Sequence, residues 1–215
     1  MLEILFISDY VCPYCLVAKE ALKQALEETG VEAQITWQPY ELTVEPKPRV
    51  DTYNDTSRKR KYKVLIEPCK QLGLEMKLPP NVVPRPYTRL AFEGWYFACD
   101  QGKGDAYNDR MYKAYFIDEM DIGDIEVLTK LAEELGLDGT AFKQALETGA
   151  YTEKEKAAVA YAKNELQPKG VPTIYINGQK VSVSEYTKEE MIRILSEQVP
   201  ADEVFGFCCS EDGCN

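Results

Sequence analysis

Cys12-Pro13-Tyr14-Cys15 places two thiols at a spacing that suits redox chemistry. An apolar run, Leu2 to Ile7, precedes the motif, and a helical pattern, Leu16 to Leu26, follows it. Two cysteines two residues apart at a strand-to-helix junction read as a dithiol that can close to a disulfide. The first cysteine then lies at a helix N-terminus, where unpaired N–H groups and the helix dipole favour a thiolate. The thiolate is the species that attacks a disulfide. Cys12 is therefore the expected nucleophile. Cys15 is near enough to expel the mixed disulfide that results.

Other uses of the same spacing have different requirements. Half of a zinc site needs two more ligands, and the chain contains no histidine. Two inert core cysteines would not suit a Pro-Tyr pair between them in a helix interior. Pro13 fits the first turn of a helix instead.

The surrounding elements must hold this motif. Leu2 to Ile7 is nearly continuous in apolar character, as for a strand buried on both faces. Ala18, Leu22, Ala25 and Leu26 share one helical face, and Gly30 supplies a stop. Val31, Ala33, Ile35 and Trp37 alternate with polar residues as a second strand. Together these imply a parallel βαβ unit.

Prolines punctuate the chain after Pro39, and the periodic segments become helical. They run from Thr56 to Leu72, with a break expected at Pro68, then Thr88 to Gln101, Ala106 to Phe116, Ile125 to Leu135, Thr140 to Thr148 and Glu153 to Leu166. The β pattern returns at Val171 to Ile176, followed by the turn pair Asn177-Gly178 and an arm from Gln179 to Val183. Thr187 to Val199 reads as a terminal helix, with Glu190 in the capping-box position. The expected fold is α/β, a strand–helix–strand unit and a hairpin–helix unit interrupted by a large all-helical insertion. The expected division is 1–45, 46–152, 153–200 and a cysteine-rich tail, 201–215.

The 215 residues carry 25 basic and 36 acidic side chains, a net charge of −11. That balance does not suit nucleic acid or an anionic membrane as partner. No apolar stretch approaches the roughly 20 residues of a membrane span. With no export signature at the amino terminus, a cytoplasmic location is expected. Seven cysteines in a reducing compartment suggest chemistry or core packing more than structural bridges.

With these residues in view, the chain resembles the DsbA-like oxidoreductases of the thioredoxin superfamily, and most closely the FrnE branch. The resemblance spans nearly the full length. It rests on Asp9 to Cys15, on Trp37-Gln38-Pro39-Tyr40-Glu41-Leu42, on Ala114-Tyr115-Phe116 through Val127-Leu128, and on Gly170-Val171-Pro172-Thr173. It implies a thioredoxin fold and thiol–disulfide exchange with protein or peptide disulfides, or with glutathione. No cofactor is required, and a monomer or homodimer is compatible. Pro172 corresponds to a cis proline facing the cysteine pair. Val171 would then offer its backbone to an extended substrate by strand addition, with Pro13 and Tyr14 shaping the same surface. Some FrnE-like proteins carry a second Cys-x4-Cys pair, whose spacing Cys209 and Cys214 share. DsbA has a histidine between its cysteines where this chain has Tyr14, which implies a less oxidising potential.

The remaining candidates have simpler readings. Asp9 could assist proton transfer near Cys15 but better suits a turn or capping carboxylate, Glu41 could be a buried acid beneath the site but better suits a solvated loop acid, and Tyr14 suits either a tuning group or a surface aromatic. Cys69 and Cys99 suit small buried core positions. Arg58-Lys59-Arg60-Lys61 suits a solvated helix face able at most to attract an acidic patch. Two alternatives to redox exchange stay open. Clustered cysteines, including Cys208, Cys209 and Cys214, could bind a soft metal in a stress protein. A glutathione-dependent isomerase or transferase could also use the scaffold.

Overall fold

The computed structural model describes residues 1–198. Cys208, Cys209 and Cys214 therefore lie outside the described residues. Four strands, β1 (Leu2–Ser8), β2 (Ala33–Pro39), β3 (Thr173–Ile176) and β4 (Gln179–Val181), form one mixed sheet in the order β2-β1-β3-β4. β1 and β2 are parallel, from Leu2 opposite Ala33 to Ser8 opposite Pro39. β3 runs antiparallel to both β1 and β4. Asn177 and Gly178 take φ of 50° and 77°. Positive φ at both central residues is what a two-residue turn with the native strand twist demands.

Helix α1 (Pro13–Thr29) connects β1 to β2. It ends at Gly30, whose left-handed φ of 65° lets its N–H return to the Leu26 carbonyl. Between β2 and β3 the chain is helical: α2 (Thr56–Tyr62), α3 (Ile66–Gln71), α4 (Arg89–Asp100), α5 (Gly104–Phe116), α6 (Ile125–Glu134), α7 (Gly139–Thr148) and α8 (Thr152–Tyr161). The break between the first two of these falls at a 3-10 turn, Lys63–Leu65, rather than at Pro68. Pro68 sits in the first turn of α3, where a missing N–H costs nothing. α8 closes with a single wide π turn, Ala162–Leu166.

Helix α9 (Lys188–Ser196) follows β4. Thr187 caps it by accepting from the Glu190 amide at 3.1 Å. Glu190 does not complete a reciprocal capping box. Its carboxylate instead accepts the amides of Ser184, Glu185 and Tyr186 and the Ser184 hydroxyl, at 2.7 to 2.9 Å. The loop carries three unpaired donors, and the buried acid satisfies them together.

Two hydrophobic cores result. One lies under the sheet, where Ile4, Phe6, Ile174 and Ile176 meet Val17, Ala18, Ala21, Leu22 and Ala25 of α1 and Met191, Ile194 and Leu195 of α9. The other fills the helical insertion with Phe92, Tyr107, Met111, Tyr112, Tyr115, Phe116, Leu128 and Phe142. Tyr10, Val11, Cys12, Cys15 and Leu16 belong to the second core. The same helix thus serves the insertion with its first turn and the sheet with the rest.

Gly94 is where the second core is tightest. A Cβ there would stand 2.3 Å from the Tyr107 hydroxyl and 2.6 Å from the Phe142 ring. Gly94→Ala gains about 1 kcal/mol of helix propensity. Overpacking outweighs it, so a net loss of roughly 1–3 kcal/mol is expected. A thermal midpoint lowered by roughly 3–10 °C checks this; an unchanged midpoint would mean that the two rings yield freely.

Candidate active site

β1 leads through a turn at residues 9–11 into the motif. Cys12 is the N-cap of α1, with φ −97° and ψ 112°, and Pro13 opens the helix. The Cys12 amide donates to the Asp9 carbonyl at 3.0 Å. Both cysteines are free thiols, Cys12 4% exposed and Cys15 fully buried. Burial pushes the Cys15 thiol well above its ordinary value. Its hydrogen bond to Cys12 and the nearby Cys12 charge push the same way, while the Asp9 backbone opposes them. Cys12 keeps a small exposed surface and Cys15 none.

The loop before β3 comes to meet them. The Cys12 thiol donates to the Val171 carbonyl at 3.4 Å, across 159 residues of sequence. The Val171–Pro172 peptide is cis. A Thr173 hydroxyl bond to the Gly170 carbonyl, 2.8 Å, ties the loop down.

Tyr14 is not a free surface aromatic. Its hydroxyl donates to the Lys61 carbonyl at 3.2 Å. Its ring packs between Tyr62 and Tyr186, at 6.1 and 5.4 Å between centroids. The motif is thereby tied to α2 on one side and to the loop before α9 on the other.

Asp9 is fully buried and performs the turn role read from sequence. One oxygen accepts the Leu42 amide at 2.7 Å and the other faces the Val11 amide at 3.4 Å. Burial raises its pKa, opposed by these amides and by Arg85. Glu41 differs from the sequence reading of a solvated acid. It is only 5% exposed and joins Glu93 of α4 and Glu155 of α8 in the interior. Arg89 holds one Glu93 oxygen at 2.5 Å, and the Thr152 hydroxyl donates to the same oxygen at 3.0 Å. One oxygen each of Glu41 and Glu93, and both of Glu155, have no hydrogen-bond partner among the described residues. Burial, then the Asp9 charge, raises Glu41 to about 7, while Lys163 and Arg89 pull it down. Burial, then Glu41 and Glu93, raises Glu155 to about 8.

Cys69 packs in the sheet-side core as expected, whereas Cys99 is exposed on α4. The helix turns the Trp95/Tyr96 face inward and leaves Cys99 at its rim, against Gly104. Among the described residues no cluster of three or more His, Cys, Asp or Glu side chains is disposed to hold a metal ion. None of their helices is long and apolar enough to cross a membrane.

Sequence reasoning missed Arg85. It lines a cavity of about 300 Å³ beside Cys12, together with Pro13, Tyr14, Leu42, Arg58, Lys61 and Tyr62. Its setting, Pro84-Arg85-Pro86 in a segment without periodicity, carries no signal that would have placed it.

The fold recurs elsewhere. A model of the DSBA-like thioredoxin domain matches residues 3–192. The uncharacterized protein YwbO of Bacillus subtilis is 42% identical over 192 residues, covering 89% of this chain and 94% of that one. Among solved structures, the probable DsbA oxidoreductase SCO1869 of Streptomyces coelicolor superposes with a TM-score of 0.74 at 22% identity, over 100% of this chain and 99% of its own. The cytosolic disulfide reductase DsbM of Pseudomonas aeruginosa, solved with GSH, gives 0.66 at 18%, over 91% and 98%. With a family model spanning both halves of the sheet and all the helices between them, the chain belongs to the DSBA-like thioredoxin domain family.

Proposed function

We propose that the protein is a thiol–disulfide oxidoreductase in which Cys12 attacks a substrate disulfide and Cys15 resolves the intermediate. The carrying observation is the N-cap position of Cys12, with its sulfur 3.4 Å from the Val171 carbonyl and a buried partner thiol one helical turn behind. The Val171 backbone beside Pro172 suits an extended peptide added as a strand. Pro13 and Tyr14 form part of the adjoining wall. Protein and peptide disulfides are the substrates this supports, with glutathione as a small-molecule partner.

Equilibration in glutathione buffers tests the reading. A Cys12–Cys15 disulfide is expected, with a potential well below the roughly −120 mV of DsbA, because no histidine lies between the cysteines. Failure to form that disulfide would end the proposal. Cys209 and Cys214 are proposed as a second pair exchanging with the first. Removing 208–215 is then expected to change the rate of exchange or the potential; neither changing would refute that role.

A further inference from the structure

The cavity beside Cys12 contains an arginine with no ion-pair partner. Arg85 is 5% exposed, yet it forms no ion pair among the described residues. One guanidinium nitrogen donates to the Thr43 hydroxyl at 2.7 Å, and the backbone N–H goes to the Val50 carbonyl. Asp9 is near enough for its charge to be felt, but its oxygens face the Val11 and Leu42 amides. Tyr62 and Tyr115 are the other titratable groups in its field. A guanidinium has five donors, and the Thr43 hydroxyl engages one nitrogen, so the rest of the fork can take a further acceptor. Such a group beside a reactive thiol is ready to receive an anion.

The rest of the wall is net positive: Lys61 and Arg58 line it beside a single carboxylate, Asp55. Lys61 lines the cavity from α2 and makes no ion pair among the described residues. Arg58 lines it too, but Asp55 holds it at 3.1 Å, so that pair contributes little net charge. The chain as a whole carries −11, so a positive wall at this one cavity runs against the general trend. A concave site with charge of one sign concentrates the opposite sign there. The guanidinium fork fits a carboxylate by two parallel bonds. A volume of about 300 Å³ lies at the small end of ligand sites.

We propose that Arg85, assisted by Lys61, binds a carboxylate of the substrate, so that beside extended peptides the site takes low-molecular-weight disulfides bearing a carboxylate a few bonds from their sulfurs. This rests on the thiol–disulfide reading above. The Cys12 thiolate attacks one sulfur of R–S–S–R, forming Cys12–S–S–R and expelling RS⁻. The Cys15 thiolate then attacks the Cys12 sulfur and expels the second RS⁻. Two electrons pass from the protein dithiol to the substrate. The two protons given up by Cys12 and Cys15 end on two RSH.

Pre-reduced full-length protein is mixed with 3,3′-dithiodipropionate, a dianion, or with neutral 2-hydroxyethyl disulfide, and loss of protein thiols is followed. The ratio of the two rate constants is normalised to the same ratio for free dithiothreitol. The wild-type ratio is expected to exceed one and to shrink as salt rises. Arg85→Gln lowers it about tenfold or more, Arg85→Lys restores part of it, and Lys61→Gln lowers it a few-fold. A wild-type ratio of one or less, or a ratio unaltered in Arg85→Gln, overturns the proposal. If Arg85→Gln does not fold, an unaltered ratio in Lys61→Gln together with a salt-independent wild-type ratio does so. Oxidation of wild type by neither compound would instead be a failure of the thiol–disulfide reading itself.

Discussion

Cys12→Ser is expected to abolish turnover of a disulfide substrate, by on the order of a thousandfold or more, because it removes the thiol that borders the cavity at the start of α1. Cys15→Ser is expected to behave differently. It keeps the first step and stops there, so the substrate thiol accumulates on Cys12. Intact-mass measurement after brief exposure reads the adduct, and reductant reverses it. The asymmetry follows from burial: Cys12 borders a cavity, whereas Cys15 has no exposed surface and pairs with the Cys12 sulfur. Wild-type turnover in Cys12→Ser would refute the mechanism. Undiminished turnover in Cys15→Ser would point to a single-thiol reaction of the glutathione-dependent isomerase or transferase kind.

The buried carboxylates predict an alkaline weakness of the fold. Glu41 and Glu155 sit at about 7 and 8, above the ordinary value of 4.5. The folded state therefore holds protons between pH 4.5 and these values that the unfolded chain has already released. Stability contributed by the neutral forms is complete below pH 4.5 and is lost as pH rises through 7 and then 8. The two acids influence each other, so they titrate as a pair. A loss on the order of 2–4 kcal/mol is expected between pH 5.5 and 9. Urea midpoints across this range measure it. Glu155→Gln, which cannot ionise, is expected to flatten the slope. A wild-type midpoint as high at pH 9 as at pH 5.5 would show that the cluster is neutralised by other means.

Much of this was legible in the chain because it is local. Cys-Pro-Tyr-Cys states its own position as N-cap, first turn and first-turn interior. Asn177-Gly178 states its turn through φ alone, and the helices announce themselves by period. What stayed hidden depends on neighbours distant in sequence. The helical period tells which side of α4 faces inward, but Cys99 lies at the rim of that side, where the limit is set by Gly104 on the next helix. Glu41 looked solvated because a loop has no period, and only the packing of α4 and α8 over it removes the water. Glu190 has the spacing of a capping box, yet three amides of the preceding loop compete for its carboxylate.

The division of α1 between two cores has a consequence for the protein as a modular object. Cys12 and Cys15 cluster with the insertion's core, beside Tyr10, Val11 and Leu16, and not with the core under the sheet. The burial of Cys15 therefore depends in part on the interrupting segment. Excising the insertion to recover a minimal scaffold would leave the sheet's own apolar set largely intact. It would also open Cys15 to water and bring its acidity closer to that of an ordinary thiol. The part of the chain that looks like an addition to the fold is part of what keeps Cys15 dry.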